Sequence, residues 1–137
     1  MMIAGKRAGA WFTGVSAVAM AAAAFVLYLN LPDARTTRIT GTVRCASGQA
    51  VAGVWIQEAQ GVGEFASWQP DSSDPALARF SFDLRGHTYA VHVGCGGTSK
   101  QWATEVRSDH VPMSTIAFVC HDEPSDGLYE TCTPQAG

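Results

Sequence analysis

Beyond residue 38 apolar and polar positions alternate with a period of two and are punctuated by turn residues, the pattern of strands that bury one face. Residues 39–45, from Ile39 to Cys45, alternate in this way, and Ser47-Gly48-Gln49 turns the chain. Residues 51–58 predict a second strand, with Val54 and Ile56 on one face and Trp55 and Gln57 on the other. Residues 64–69 predict a third, weaker strand, and residues 71–75 (Asp-Ser-Ser-Asp-Pro) a loop. Residues 78–84 give the clearest alternation. Arg85-Gly86-His87 leads from them into residues 88–95, where Tyr89, Val91, Val93 and Cys95 are in phase, and Gly94-Cys95-Gly96-Gly97 ends that strand. Residues 102–107 and 115–120 complete the set, and no amphipathic helix is legible in this part. About seven short strands at this spacing predict an all-β fold, a β-sandwich.

The N-terminal part has no such alternation. From Ala8 to Pro32 the chain carries no charge, and residues 10–31 form an apolar stretch of 22 residues. As a helix this stretch reaches about 33 Å, enough to cross a hydrocarbon core of about 30 Å. Trp11 and Tyr28 lie near its ends, where aromatic rings favour the headgroup region. It predicts one transmembrane helix serving as an uncleaved signal anchor. The alternative is a cleaved signal peptide and a secreted product. Ala19-Met20-Ala21 has the form of a cleavage site, but cutting there leaves Phe25 to Leu29 on the mature N-terminus, and the apolar stretch exceeds an ordinary signal core.

The basic residues flanking the stretch, Lys6 and Arg7 against Arg35 and Arg38, leave its orientation nearly balanced. The cysteines decide it. All four, Cys45, Cys95, Cys120 and Cys132, lie beyond the anchor. Four cysteines in a small domain predict two disulfides and therefore an oxidising compartment. Their spacing lacks the paired C-x2–4-C arrangement of zinc sites, so no metal is expected. The predicted organisation is a cytoplasmic segment 1–9, a transmembrane helix 10–31, a linker 32–38, an extracytoplasmic β-sandwich 39–120, and a tail 121–137 tied by Cys132. Cys45 is in phase with Ile39 and Val43, and Cys95 with Val91 and Val93, so both should point inward and pair. Cys120–Cys132 would then pin the tail. Parity leaves Cys45–Cys120 open, because Cys120 is in phase with Ile116 and Phe118.

The chain carries −3 overall, and the two basic residues before the apolar stretch leave −5 on residues 33–137. An acidic domain without a basic run makes nucleic acid an unexpected partner.

Ile39-x-Gly41-x-Val43, Gly48 and Val51-x-Gly53-Val54-x-Ile56 resemble the opening of carboxypeptidase regulatory-like, or transthyretin-like, β-sandwich domains, and of the CnaB-type domains of bacterial surface proteins. Phe80-x-Phe82-x-Leu84, Gly86 and Tyr89-x-Val91-x-Val93 are similar to the central hairpin of that family. The resemblance covers residues 38–95, and the rest to 120 fits loosely. It implies a non-catalytic module that spaces, stabilises or binds. The Lys–Asn cross-link of many CnaB-type domains is not expected, since the ectodomain has one lysine, Lys100, and no asparagine. In Val93-Gly94-Cys95-Gly96-Gly97 and its cysteine layout the chain also resembles small uncharacterised membrane or secreted proteins of actinobacteria.

Candidate chemistry is sparse. Trp55, Trp68 and Trp102, the tryptophans outside the anchor, are the candidate binding residues. Trp55 faces away from Val54 and Ile56, so it is either covered by a loop or free to stack on a sugar or anchor a partner. His87, His92, His110 and His121 show no ligand spacing and read as surface histidines. No G-x-S-x-G elbow, EF-hand or phosphate loop is present. Asp71, Asp74 and Asp83 read as solvated loop acids, and Gly94 to Gly97 as close packing around a disulfide. These observations predict a non-catalytic module without a cofactor that binds a protein or cell-envelope polymer. The alternative is a structural accessory subunit held in a membrane complex by its helix.

An uncleaved anchor keeps Trp11 in the mature protein. Intact mass of the membrane-derived chain should show it, and a mature start between Ala22 and Phe25 would overturn the anchor.

Overall fold

The computed structural model describes residues 35–124 and 127–136. The expected anchor at 10–31 and the segment 1–9 lie outside them. The described residues form strands and no helix: β1 (Thr36–Cys45), β2 (Val51–Glu58), β3 (Gly63–Phe65), β4 (Ser67–Pro70), β5 (Leu77–Arg85), β6 (Thr88–Gly97), β7 (Trp102–Arg107), β8 (Val111–Pro112), β9 (Ala117–Cys120) and β10 (Cys132–Pro134).

The strands build two sheets. The first has the order β10-β9-β1-β5-β4, and the second β3-β2-β6-β7 with β8 beside β6. All pairings are antiparallel except β1 with β9. The chain changes sheet between β1 and β2, β3 and β4, β5 and β6, and β8 and β9. Alternation explains why this works. Each strand offers one apolar row, and the two rows must face each other to leave water. Val43, Ala78, Phe80, Leu84 and Phe118 from the first sheet and Val54, Ile56, Tyr89, Val91, Val93 and Val106 from the second are each at most 2% exposed. Tyr89 and Phe118 meet edge to face, with ring centroids 6.1 Å apart. A bulge between Val51 and Gly53 resets the phase of β2, so Val51 and Val54 are both buried.

Two disulfides fasten this core, Cys45–Cys95 and Cys120–Cys132. They are the expected pairs, and Cys45–Cys120, which parity leaves open, is not formed. The first joins the end of β1 to β6 and so crosses between the sheets. It closes 50 residues, worth about 4 kcal/mol in the chain-entropy model. The second lies inside the first sheet, where Cys120 and Cys132 are directly opposite on β9 and β10.

Several boundaries differ from the sequence reading. The expected third strand at 64–69 is two strands, because the chain leaves the second sheet after Phe65 and enters the first at Ser67, with Ala66 buried between them. β5 and β6 are not a hairpin: they lie in opposite sheets, and Gly86-His87 carries the chain across. β1 takes in the last three residues of the expected linker 32–38, since Thr36, Thr37 and Arg38 pair with Arg85, Leu84 and Asp83, and Arg38 Nε lies 3.1 Å from Asp83 Oδ1. Their exposed side chains carry no apolar signal. The last expected strand, 115–120, begins at Ala117, and the expected tail 121–137 contributes β10 to the first sheet. With β8 the total is ten rather than about seven, because strands of two or three residues are too short to show alternation.

The end of β1 is closed by a buried carboxylate. Asp122, 7% exposed, accepts from the Ser47 amide at 2.9 Å and from the Ser47 hydroxyl. The turn after β1 and the segment after β9 are therefore one unit.

Burial pushes the Tyr89 hydroxyl up to about 12, from 10.0, and that hydroxyl donates to the Thr115 carbonyl. The folded chain holds this proton more tightly than the unfolded chain. Its contribution is thus complete below about pH 10 and is lost as pH rises through about 12. Tyr89→Phe should cost about 1 kcal/mol at neutral pH, through the unpaired carbonyl. It should also flatten the alkaline loss of stability, measured as urea midpoints against pH.

Candidate binding groove

The outer face of the second sheet is set by its inner face. With Val54 and Ile56 inward, β2 turns Gly53, Trp55 and Gln57 outward. With Val91 and Val93 inward, β6 turns His92 and Gly94 outward. The register then brings particular partners together. Trp55 stands opposite His92 on β6 and Phe65 on β3, Gly53 opposite Gly94, Gln57 opposite Gly63, and Gly94 opposite Glu105 on β7. Of these, Trp55, Gln57, Gly63, Phe65, His92 and Glu105 line, with Trp102, an open groove of about 650 Å³.

Its floor depends on glycine. A Cβ built on Gly94 would lie 2.3, 2.4 and 2.6 Å from three atoms of the Trp102 indole, and one on Gly53 would lie 2.5 Å from it. Near-equal distances to several ring atoms place Gly94 under the face of the ring. Trp102 therefore lies flat against the backbone of β2 and β6. Trp55 likewise lies against Gly63, where a Cβ would come within 2.3 Å of its Nε1. Strict alternation from Val106 would point Trp102 inward. It sits at the end of the β6–β7 ladder, opposite Gly97, where Gly96 and Gly97 have φ of 73° and 82°. Gly94 thus makes room for the Trp102 ring.

Phe65 is the upright wall. Its ring is perpendicular to Trp55 at a centroid distance of 4.9 Å and stands at 81° to Trp102 at 6.1 Å. Phe65 remains 61% exposed, and both indoles are half-buried. Beside the rings lies a polar row. His92 Nδ1 is 3.1 Å from Glu105 Oε1, and His92 Nε2 is 3.0 Å from Gln57 Oε1. The imidazole is gripped from both sides, its side chain 14% exposed against 49% for Glu105. Its Nε2 faces an amide, not a hydroxyl nucleophile. The row is organised to present hydrogen-bonding groups next to aromatic faces.

The structure brings Trp55 and Trp102 to one site and separates Trp68 from it. Trp68 is on β4 of the first sheet, opposite Phe80 and packed against the core. His87 and His110 are exposed, and His121 Nε2 lies 3.1 Å from Thr133 Oγ1, away from the groove. Among the described residues, the one close grouping of metal-type donors is Cys45, Cys95 and Asp122, and both of its sulfurs are committed to a disulfide. Sequence reasoning missed Phe65, Gln57, His92 and Glu105 as groove residues. The signal was cross-strand register, since parity already turned Trp55, Gln57 and His92 outward.

Gly94→Ala should force the Trp102 ring off the sheet. Overpacking of this kind costs about 1–3 kcal/mol, and the near-ultraviolet circular dichroism of the tryptophans should fall. A variant within about 0.5 kcal/mol of wild type, with an unchanged spectrum, would show that the ring does not rest there.

No protein-family model, curated protein or solved structure matches the chain, and the groove is read from its own residues.

Proposed function

We propose that the chain is a non-catalytic module, anchored in the membrane by residues 10–31 with its β domain outside the cytoplasm, and that it binds a protein or cell-envelope polymer through the groove on its second sheet. The observation that carries this is the cluster of Trp55, Phe65 and Trp102 on an outward sheet face, with Phe65 61% exposed. An aromatic side chain left on a surface forgoes the free energy of burial, and tryptophan is among the residues most enriched at binding hot spots. The first sheet supplies the contrast. Its outward positions near the centre are Thr40, Thr42, Ser67, Gln69, Arg79 and Ser81, an ordinary solvated face. Both disulfides favour an oxidising compartment. The resemblance to carboxypeptidase regulatory-like modules agrees with a non-catalytic role.

The test is retention of the full-length chain, purified in detergent, on a washed cell-envelope fraction. A hot-spot ring contributes about 2 kcal/mol or more, so Trp55→Ala should weaken retention by about thirtyfold. Thr40→Ala, on the opposite sheet, should leave it unchanged. Retention that ignores Trp55 but is lost when residues 10–31 are replaced by an unrelated transmembrane helix would instead support an accessory subunit held by its helix.

A further inference from the structure

We infer that the occupant of the groove is a neutral saccharide, stacked on Trp102 and hydrogen-bonded by Gln57 and Glu105, which His92 holds in place; this rests on the groove being the binding surface. Three features of the site converge on that chemistry.

The first is the shape of the platform. Trp102 has one indole face against the backbone at Gly53 and Gly94, which leaves the other face to the groove it lines. A ring fixed this way cannot rotate to meet an irregular surface. It suits a ligand with a flat apolar face of its own, and the C–H face of a pyranose is one. Phe65, standing at 81° to that indole, limits sliding on one side.

The second is the placement of the polar groups. A sugar ring carries its hydroxyls around its edge, so a platform needs donors and acceptors beside it. Gln57, His92 and Glu105 form one connected row there, with contacts of 3.0 and 3.1 Å. Glu105 keeps about half of its side chain exposed, at 49%. Its carboxylate accepts from hydroxyls, and the Gln57 amide both donates and accepts.

The third is charge. Apart from His92, the charged groups lining the groove are Lys100 and Glu105, one of each sign. Lys100 and Glu105 offset each other, so the groove concentrates no run of one sign for a phosphate, a uronate or an ammonium. An open groove of about 650 Å³ also lets a chain run past the platform with its ends in solvent.

The experiment titrates the full-length protein in detergent with neutral hexasaccharides of glucose, mannose and galactose, and with a galacturonate hexamer, followed by calorimetry and tryptophan fluorescence. At least one neutral hexamer should bind, more tightly than the galacturonate. Trp102→Ala should weaken it by about tenfold or more, the scale of one stacked ring, and Thr40→Ala should have no effect. Where Trp102→Ala loses its fold by near-ultraviolet circular dichroism, Gln57→Ala replaces it and should cost about fivefold, the worth of one hydrogen bond. Failure of every neutral hexamer to bind, tighter binding of the galacturonate, or binding indifferent to both variants overturns the saccharide assignment. If retention on the envelope fraction still falls with Trp55→Ala, the groove remains the binding surface for a different ligand. If that retention is also indifferent, both readings fail.

Discussion

The buried bridge between Cys45 and Cys95 is the constraint on which the rest depends. Both residues are at most 1% exposed, and their Cα atoms are 5.9 Å apart. The bridge ties β1, the strand shared by β5 and β9, to β6, the strand shared by β2, β7 and β8. A sandwich of about a hundred residues buries a modest core, and at one edge the Arg107 amide of β7 donates to the Glu130 carbonyl just before β10, at 3.2 Å. Away from that edge, side-chain packing resists sliding of one sheet over the other. A covalent link between two inward positions removes that freedom and fixes which residues of β6 face the first sheet. Once Val91, Val93 and Cys95 are inward, His92 and Gly94 are outward, and the groove acquires its floor.

The second disulfide serves the same point from another direction. β10 has three residues, and the segment before it is polar and rich in acids. Such a strand would contribute little by itself. Held to β9 through Cys120 and Cys132, it completes the edge of the first sheet and brings Asp122 against Ser47. A buried carboxylate is costly unless its oxygens are hydrogen-bonded. Here one accepts from a backbone amide and the other from a hydroxyl. The turn leaving Cys45 is thereby fixed close to the bridge that joins the sheets.

How much was legible in the sequence follows from what each signal measures. Alternation reports burial of one face, so β1, β2, β5, β6 and β7 were visible, and so was the inward phase of Cys45 and Cys95. Alternation says nothing about which strands pair. The segment from Phe80 to Val93 reads as a hairpin because two alternating runs flank Gly86, yet β5 and β6 belong to opposite sheets. Short strands escape for a different reason: β8 and β10 are held by ladder bonds and, for β10, a disulfide, none of which leaves a periodic trace. Half of the groove was readable by the same logic. Trp55 and Gln57 declare their outward direction by parity with Val54 and Ile56. Trp102 does not, since strict alternation from Val106 points it inward while its ring rests on Gly53 and Gly94. Trp68, equal to Trp55 as a letter, turned out to be a core neighbour of Phe80.

The glycines of the second sheet are the strongest reason to treat the groove as a made feature and not a gap. Glycine inside a strand costs conformational entropy and offers no side chain to pack. β2 has Gly53 and β6 has Gly94 in adjacent outward positions, where a solvated face would carry threonine, as β1 does at Thr40 and Thr42. Both of those glycines are covered by the Trp102 ring, and a third, Gly63, by Trp55. Replacing indoles and glycines together by threonine would stabilise the sheet as a sheet. The chain instead carries the weaker strand positions and the half-exposed rings at one place, and nowhere on the outward face of its first sheet. That pairing of costs is intelligible if the rings have something to hold.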